Sequence, residues 1–164
     1  MIKGQSITEL QNKVFTKIIS SSDIMRALVI DNENFLNATP TSAQLAILNN
    51  PASLIRQQLF PYKKVTLSTE NAKTYITTTW VNFRKKSNQY QSGLVYFYII
   101  VPISLEKTFM GIRYNFIADK LDELFAENGI GKFEFYDRSD MDVTEGYLGH
   151  YIAFSILDFN MDGW

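Results

Sequence analysis

The sequence predicts an α+β domain: one mostly antiparallel four-stranded sheet built on a long β-hairpin, an amphipathic helix packed on one face, and an N-terminal helical region. Three observations lead there. Residues 1–60 carry helix caps and helical spacing with little strand signal. From residue 61 onward, runs of β-branched and aromatic residues dominate. One 3.6-residue apolar stripe interrupts those runs, so the second half reads β-β-α-β-β. A length of 164 residues favours a single domain with a real core, 1–60 helical and 61–164 sheet plus helix.

Each element has a local reason. Ser6 and Glu9 spell an S-x-x-E capping box, and Ile7, Leu10, Val14 and Ile18 follow at helical spacing, predicting a helix from about 7 to 19. Serines 20–22 interrupt it, and Ser22 is expected to cap a second short helix through "DIMRALVI". "DNENFLNATPT" reads as a loop and "SAQLAILNN" as a helical turn. Asn50-Pro51 opens a further helix over "PASLIRQQLF", which Pro61 closes. "KTYITTTWVNF" is a strand, and "RKKSNQYQSG" a polar loop with a glycine exit. "LVYFYIIV" is continuously apolar, which predicts a strand covered on both faces.

In "IRYNFIADKLDELFAENG", Ile112, Phe116, Ile117, Leu121, Leu124 and Phe125 share one face, with Arg113, Asp119, Asp122 and Glu123 opposite, and Gly129 is the expected stop. "KFEFY" alternates as a strand, "DRSDMDVTEG" reads as an acidic loop, and "LGHYIAFSILDF" is the last strand.

Composition excludes several functions. A formal net charge of −1 gives no bulk positive field for holding nucleic acid. The absence of cysteine removes thiolate chemistry, disulfides and Cys/His zinc sites. The longest apolar run, "GLVYFYIIVPI", is too short to span a membrane, and "MIKGQSITELQ" lacks a signal-peptide core, so the cytoplasm is the expected place of synthesis.

Motifs for catalysis are thin. His150 is the single histidine, without a recognisable nucleophile or orienting partner in sequence, so a structural or interfacial role is expected. "NGIGKFEF" lacks phosphate-loop spacing and follows a helix, so it reads as a helix stop and tight turn. The terminal "DFNMDGW" spells the start of a calcium loop, but the chain ends one residue after Gly163, before the remaining ligands. No catalytic, metal or cofactor residue is assigned. A rival reading places Mg²⁺ on the acidic loop 137–145 of a small phosphoryl-transfer enzyme, and another makes the chain a monomeric protein that binds one partner through its aromatic surface. The candidate interface residues are the basic hairpin tip Arg84, Lys85 and Lys86, with Tyr90 beside it, and the acidic set Asp137, Asp140, Asp142 and Glu145. Three adjacent cations resist burial without partners, so the tip must meet water or something negative.

The succession of long hairpin, "GIRYNFIADKLDELF", "GIGKFEFYDRSD" and "YLGHYIAFSILDFN" resembles the neck and tail-completion proteins of tailed bacteriophages, which include tail terminators and head–tail joining proteins. Gly111, Arg113, Ile117, Ala118, Leu121, Asp122, Leu124, Phe125, Asp158, Phe159 and Asn160 carry the likeness, with "LIRQQLFPYKKV" ahead of the sheet, over about residues 50–160. The resemblance implies a structural virion protein and not an enzyme. It implies a homo-oligomeric ring, commonly a hexamer, that ends the tail tube and joins it to the DNA-filled head. The tail tube protein and a connector or head-closure protein would be its partners. Genomic DNA would pass through its centre without sequence-specific binding. A head-closure or adaptor ring is the alternative within the family.

Overall fold

The computed structural model describes the backbone of residues 3–63, 67, 70–85, 90–127 and 133–160, with side chains described for all of these but 3–6, 85, 90–91, 127 and 157–160. The expected Gly129 stop, the "GIGK" turn, Lys86 of the tip and the final "MDGW" lie outside the described residues.

Helix α1 spans Lys3–Ile19 and buries Leu10, Val14, Phe15 and Ile18, the predicted stripe. It begins before Ser6, so that serine lies inside the helix and does not cap it. Helix α2 (Ser22–Val29) is capped by Ser21, one residue before the expected serine, whose hydroxyl accepts from the Ile24 amide. Helix α3 (Ser42–Asn49) carries a reciprocal capping box between Thr41 and Gln44.

The expected helix over residues 51–60 is only a single 3₁₀ turn, Pro51–Leu54. Arg56 then adopts φ 68°, which breaks the helix. The buried Gln58 amide donates to the carbonyls of Leu28 and Thr74, bonds that only an extended chain here can make. Leu59–Phe60 becomes strand β1. Tertiary hydrogen bonds outweigh the local helix preference of "SLIRQQLF".

Strands β2 (Tyr75–Lys85) and β3 (Tyr90–Pro102) form the long hairpin. After a 3₁₀ turn come β4 (Lys107–Thr108) and β5 (Gly111–Ile112), a small separate ladder. Helix α4 (Arg113–Asp122) runs into a π turn at Glu123–Glu127. Strands β6 (Phe133–Met141) and β7 (Tyr147–Asn160) complete the main sheet. Its order is β1-β2-β3-β7-β6, antiparallel except for β1 beside β2, so the sheet has five strands and not four. The stretch read as an acidic loop is largely β6: Asp137, Arg138 and Asp140 are strand residues, and only 142–146 form the turn.

The helices cover one face of the sheet. Val95, Phe97, Ile99, Ile152, Phe154 and Ile156 meet Phe116, Ile117, Leu121 and Phe125, all nearly solvent-free. The α4 stripe is as predicted at Phe116, Ile117, Leu121 and Phe125, whereas Ile112 ends β5 before the helix and Asp122, expected on the solvent side, is half-buried. Arg113, expected on the solvent side, is 1% exposed. Its Nε donates to the Leu105 carbonyl, and its Nη1 to those of Ala27 and Ile30 at 2.9 and 3.0 Å. Nη2 reaches the Asn32 carbonyl, and the guanidinium sits 4.8 Å from the Phe35 ring centre. Arg113 thus satisfies the orphan carbonyls at the C-terminal end of α2, where a cation also suits the helix dipole. Burial lowers its pKa from the ordinary arginine value, and the charge survives because the five-donor fork is hydrogen-bonded. One residue pins the N-terminal helices to α4.

Candidate functional site

The other face of the sheet has no helix over its centre among the described residues. Side chains alternate along a strand, so β3 sends Val95, Phe97 and Ile99 to the core and Tyr96 and Tyr98 to the open face. The expectation that "LVYFYIIV" is covered on both faces holds only at Ile100, which packs with Phe60, Tyr75 and Tyr147 in a satellite cluster. Tyr96 and Tyr98 are half-buried.

Register gathers a tyrosine cluster there. Tyr98 stands opposite Tyr151 of β7, and Tyr96 opposite Ala153, which is fully buried beneath the rings. Tyr96 and Tyr98 stack at 6.0 Å, Tyr151 lies 5.8 Å from Tyr96, and Tyr136 meets Tyr96 edge-on at 6.5 Å. On the other flank Thr77 pairs with Tyr98 and Thr79 with Tyr96, and both threonine hydroxyls are buried without a hydrogen-bond partner among the described residues. The Lys63 ammonium sits 4.6 Å from the centre of the Tyr98 ring, a cation–π contact. Between Lys63, Tyr98, Tyr151, Ile100, Met141 and Asp142 opens a mainly apolar groove of about 440 Å³. Gly149 makes part of this surface possible: a Cβ there would come within 2.4 Å of the Val143 side chain and 2.8 Å of Met141.

The rim is polar. The Tyr151 hydroxyl donates to Asp137 Oδ2 at 2.7 Å, and that bond, with burial, raises the Tyr151 pKa. Burial, then Tyr136 and Tyr98, raises that of Tyr96. Both phenols therefore stay protonated at neutral pH and act as donors. Aromatic bodies with polar tips, half-exposed and clustered, are the side chains that protein interfaces favour.

The sequence-predicted residues divide. Arg84 is exposed near the far end of β2, Lys85 closes that strand opposite Gln91, and Tyr90 opens β3 opposite Asn160. The turn bearing Asp142 and Glu145 lies at the other end, beside the Tyr147–Pro102 pair. The 13 residues of β3 separate the two ends, roughly 40 Å at the usual rise per residue. One chain does not bring its own basic tip to its own acidic turn.

Asp137 and Asp140 project from opposite faces of β6. Asp137 bonds Tyr151 on the open side, whereas Asp140 Oδ1 lies 2.8 Å from His150 Nδ1 on the helix side. Two carboxylates on opposite faces cannot converge on one cation, and no group of three metal-ligating side chains gathers among the described residues.

His150 belongs to a buried network on that helix side. Its Nε2 accepts from Arg138 Nε at 2.7 Å. Arginine only donates, so Nε2 carries the lone pair and Nδ1–H donates to Asp140. Arg138 also pairs with Asp119 and bonds Asn115 on α4, and the Tyr114 ring stacks on the imidazole at 4.9 Å. The His150 bond, followed by that from Tyr114, holds the Asp140 carboxyl below its ordinary range, partly offset by desolvation. Both ring nitrogens are occupied, so the imidazole ties β6, β7 and α4 together and has no free nitrogen for a substrate proton.

Residues 21–156 match the YomW family, from the cap of α2 through the whole tyrosine face and the Arg113 and His150 anchors. The chain belongs to the YomW family. This family is phage-associated. No curated protein and no solved structure matches the chain.

Sequence reading missed Tyr96, Tyr98, Tyr136, Tyr151 and Lys63. The signal was present as the alternating "Y-F-Y" of β3, masked because tyrosine counts as apolar in a run. Which tyrosines converge depends on the β3–β7 register, which residue order alone does not specify.

Proposed function

We propose that this YomW-family chain is a structural virion protein that assembles as a ring at the neck of a tailed phage. There it ends the tail tube and joins it to the filled head. The observation that supports this most is the uncovered tyrosine face: half-exposed rings on a rigid sheet, with polar tips and an adjoining apolar groove, suit a partner protein better than water. The engaged nitrogens of His150 and the divergent carboxylates of β6 favour assembly over acid–base or metal-assisted chemistry.

In this reading the subunits form a closed ring, most simply a hexamer. The tail tube protein lies below it, a connector or head-closure protein above it, and DNA passes through the centre. The protein is made in the host cytoplasm and ends in the virion. A net charge of −1 suits a channel that DNA slides past. Among the described residues no helix is long and apolar enough to cross a membrane. Negative-stain imaging and native mass measurement, on the protein alone and mixed with tail tubes, test the proposal. Rings, or tubes capped at one end, are expected. A monomer that leaves tubes undecorated at high concentration overturns it.

A further inference from the structure

We propose that neighbouring copies of this chain join edge to edge, with Glu134–Arg138 on β6 of one subunit seated along Thr78–Val81 on β2 of the next. This rests on the ring reading above and names the surface that builds the ring.

Both sheet edges are open at the same height. On one side β1 pairs only with Ile76 and Thr77, so among the described residues no strand flanks β2 from Thr78 upward. A groove of about 500 Å³ runs there, lined by Gln11, Tyr62, Lys63, Thr79, Trp80 and Phe83 among others. On the other side, among the described residues, β6 pairs with β7 alone. Phe135 and Tyr136 on this edge are each 53% exposed. A strand edge with two adjacent exposed aromatics is what natural sheets avoid unless something adds to it.

The register makes the two edges fit. Thr78 pairs with Phe97, which pairs with Ile152, which pairs with Arg138. Val81, Leu94, Ser155 and Glu134 form a second such row. The open segment of β2 and the aromatic segment of β6 therefore lie level. Three antiparallel steps separate the two strands, so they run in opposite directions. A sideways neighbour thus presents β6 antiparallel to β2 without a shift along the strands. A contact at matched height closes into a ring, whereas an offset contact climbs into a filament.

Charge and shape agree. Lys63, the exposed Arg84, and Arg56, whose guanidinium lies 5.9 Å from the Tyr62 ring centre, make the β2 side basic. Glu134 and Asp137 make the β6 side acidic, and such pairing sets register and approach. The β2 bulge between Val81 and Arg84 ends the added pairing above Val81, and the β6 bulge between Phe135 and Asp137 sets Tyr136 out of register within it, so about four rows remain. Short pairing leaves specificity to the side chains. Phe135 faces the same side as Trp80, so its ring is the one that enters the groove of the next subunit.

The chain has no cysteine, so engineered thiols report cleanly. Val81 and Glu134 share a row and a face, and the double variant V81C/E134C places one thiol on each edge. Oxidation of assembled full-length protein should give a ladder of covalent oligomers up to the ring size, while either single variant stays monomeric on a denaturing gel. A bis-maleimide reaching about 8 Å, the span of a diagonal cross-strand pair, also captures a two-residue slip. If V81C does not fold, T79C with D137C tests the same contact lower in the sheet. Rings by native mass without a ladder overturn the edge contact and leave the ring reading standing. A chain that stays monomeric, alone and on tail tubes, overturns both.

Discussion

The two faces of one sheet use the same strands for opposite ends. Along β3 the residues alternate Val95, Tyr96, Phe97, Tyr98, Ile99, and every second one disappears beneath α4 while the others stay half-exposed. The helix face is jigsaw packing: Phe97 stacks on Phe125 at 5.4 Å and meets Phe154 edge-on, with no solvent left. The open face carries rings of similar size but adds hydroxyls, a cation and a carboxylate. Equal aromatic area therefore does not mean equal role. A side chain that ends in a polar group keeps one end hydrated, so its face waits for a partner that offers both apolar contact and hydrogen bonds.

Substitutions should separate the faces, and the largest effect should come from the anchor behind the helix face. Arg113→Ala removes the donors from buried carbonyls of Ala27 and Ile30, each costing about 1–3 kcal/mol when left unpaired. Little soluble folded protein is expected, and a thermal midpoint within a few degrees of the parent would refute the anchoring role. Next, Phe97→Ala should cost about 3–5 kcal/mol, and Leu121→Ala about 2–5 kcal/mol, by urea unfolding. Tyr98→Ala, one position along, should cost clearly less than Phe97→Ala yet impair ring or neck assembly. Equal losses of stability at 97 and 98 would erase the distinction between the faces.

Smaller effects sharpen the same contrast. Asp122→Ala should be near neutral, because Oδ1 of Asp122 is buried without a hydrogen-bond partner among the described residues. The pH dependence should be modest, since the Asp140 side chain is 74% exposed. Its folded pKa is depressed, chiefly by His150, so the stabilisation is present above the ordinary aspartate value of about 4 and fades as pH falls through the folded value. Melting curves of Asp140→Asn should converge on those of the parent as pH falls below the ordinary aspartate range and lie slightly below them at pH 7. A gap that is constant with pH would show that the carboxylate charge is not what counts.

The basic tip gives a further comparison. Replacing Arg84, Lys85 and Lys86 together by serine should leave the melting temperature nearly unchanged but weaken assembly in the way added salt does, since contacts between exposed charges are screened over about 8–10 Å. Normal assembly at normal yield would remove the tip from any interface.

The sequence by itself determined the α+β class, the hairpin, the α1 and α4 stripes and the last strand, because each is written as a periodicity of 3.6 or 2 within one short segment. It misread residues 51–60 and the charges around 137–141, where local preference competes with distant hydrogen bonds. Gln58 needs Leu28 and Thr74 in place before an extended chain is worthwhile, and β6 needs the β7 ladder before an acidic stretch becomes a strand. Arg113 reads as a surface charge until the end of α2 brings it four carbonyls. The tyrosine face and the level open edges arise only from strand register. Register is a relation between segments far apart in the chain, and a shift of one residue would turn every one of those rings to the other side.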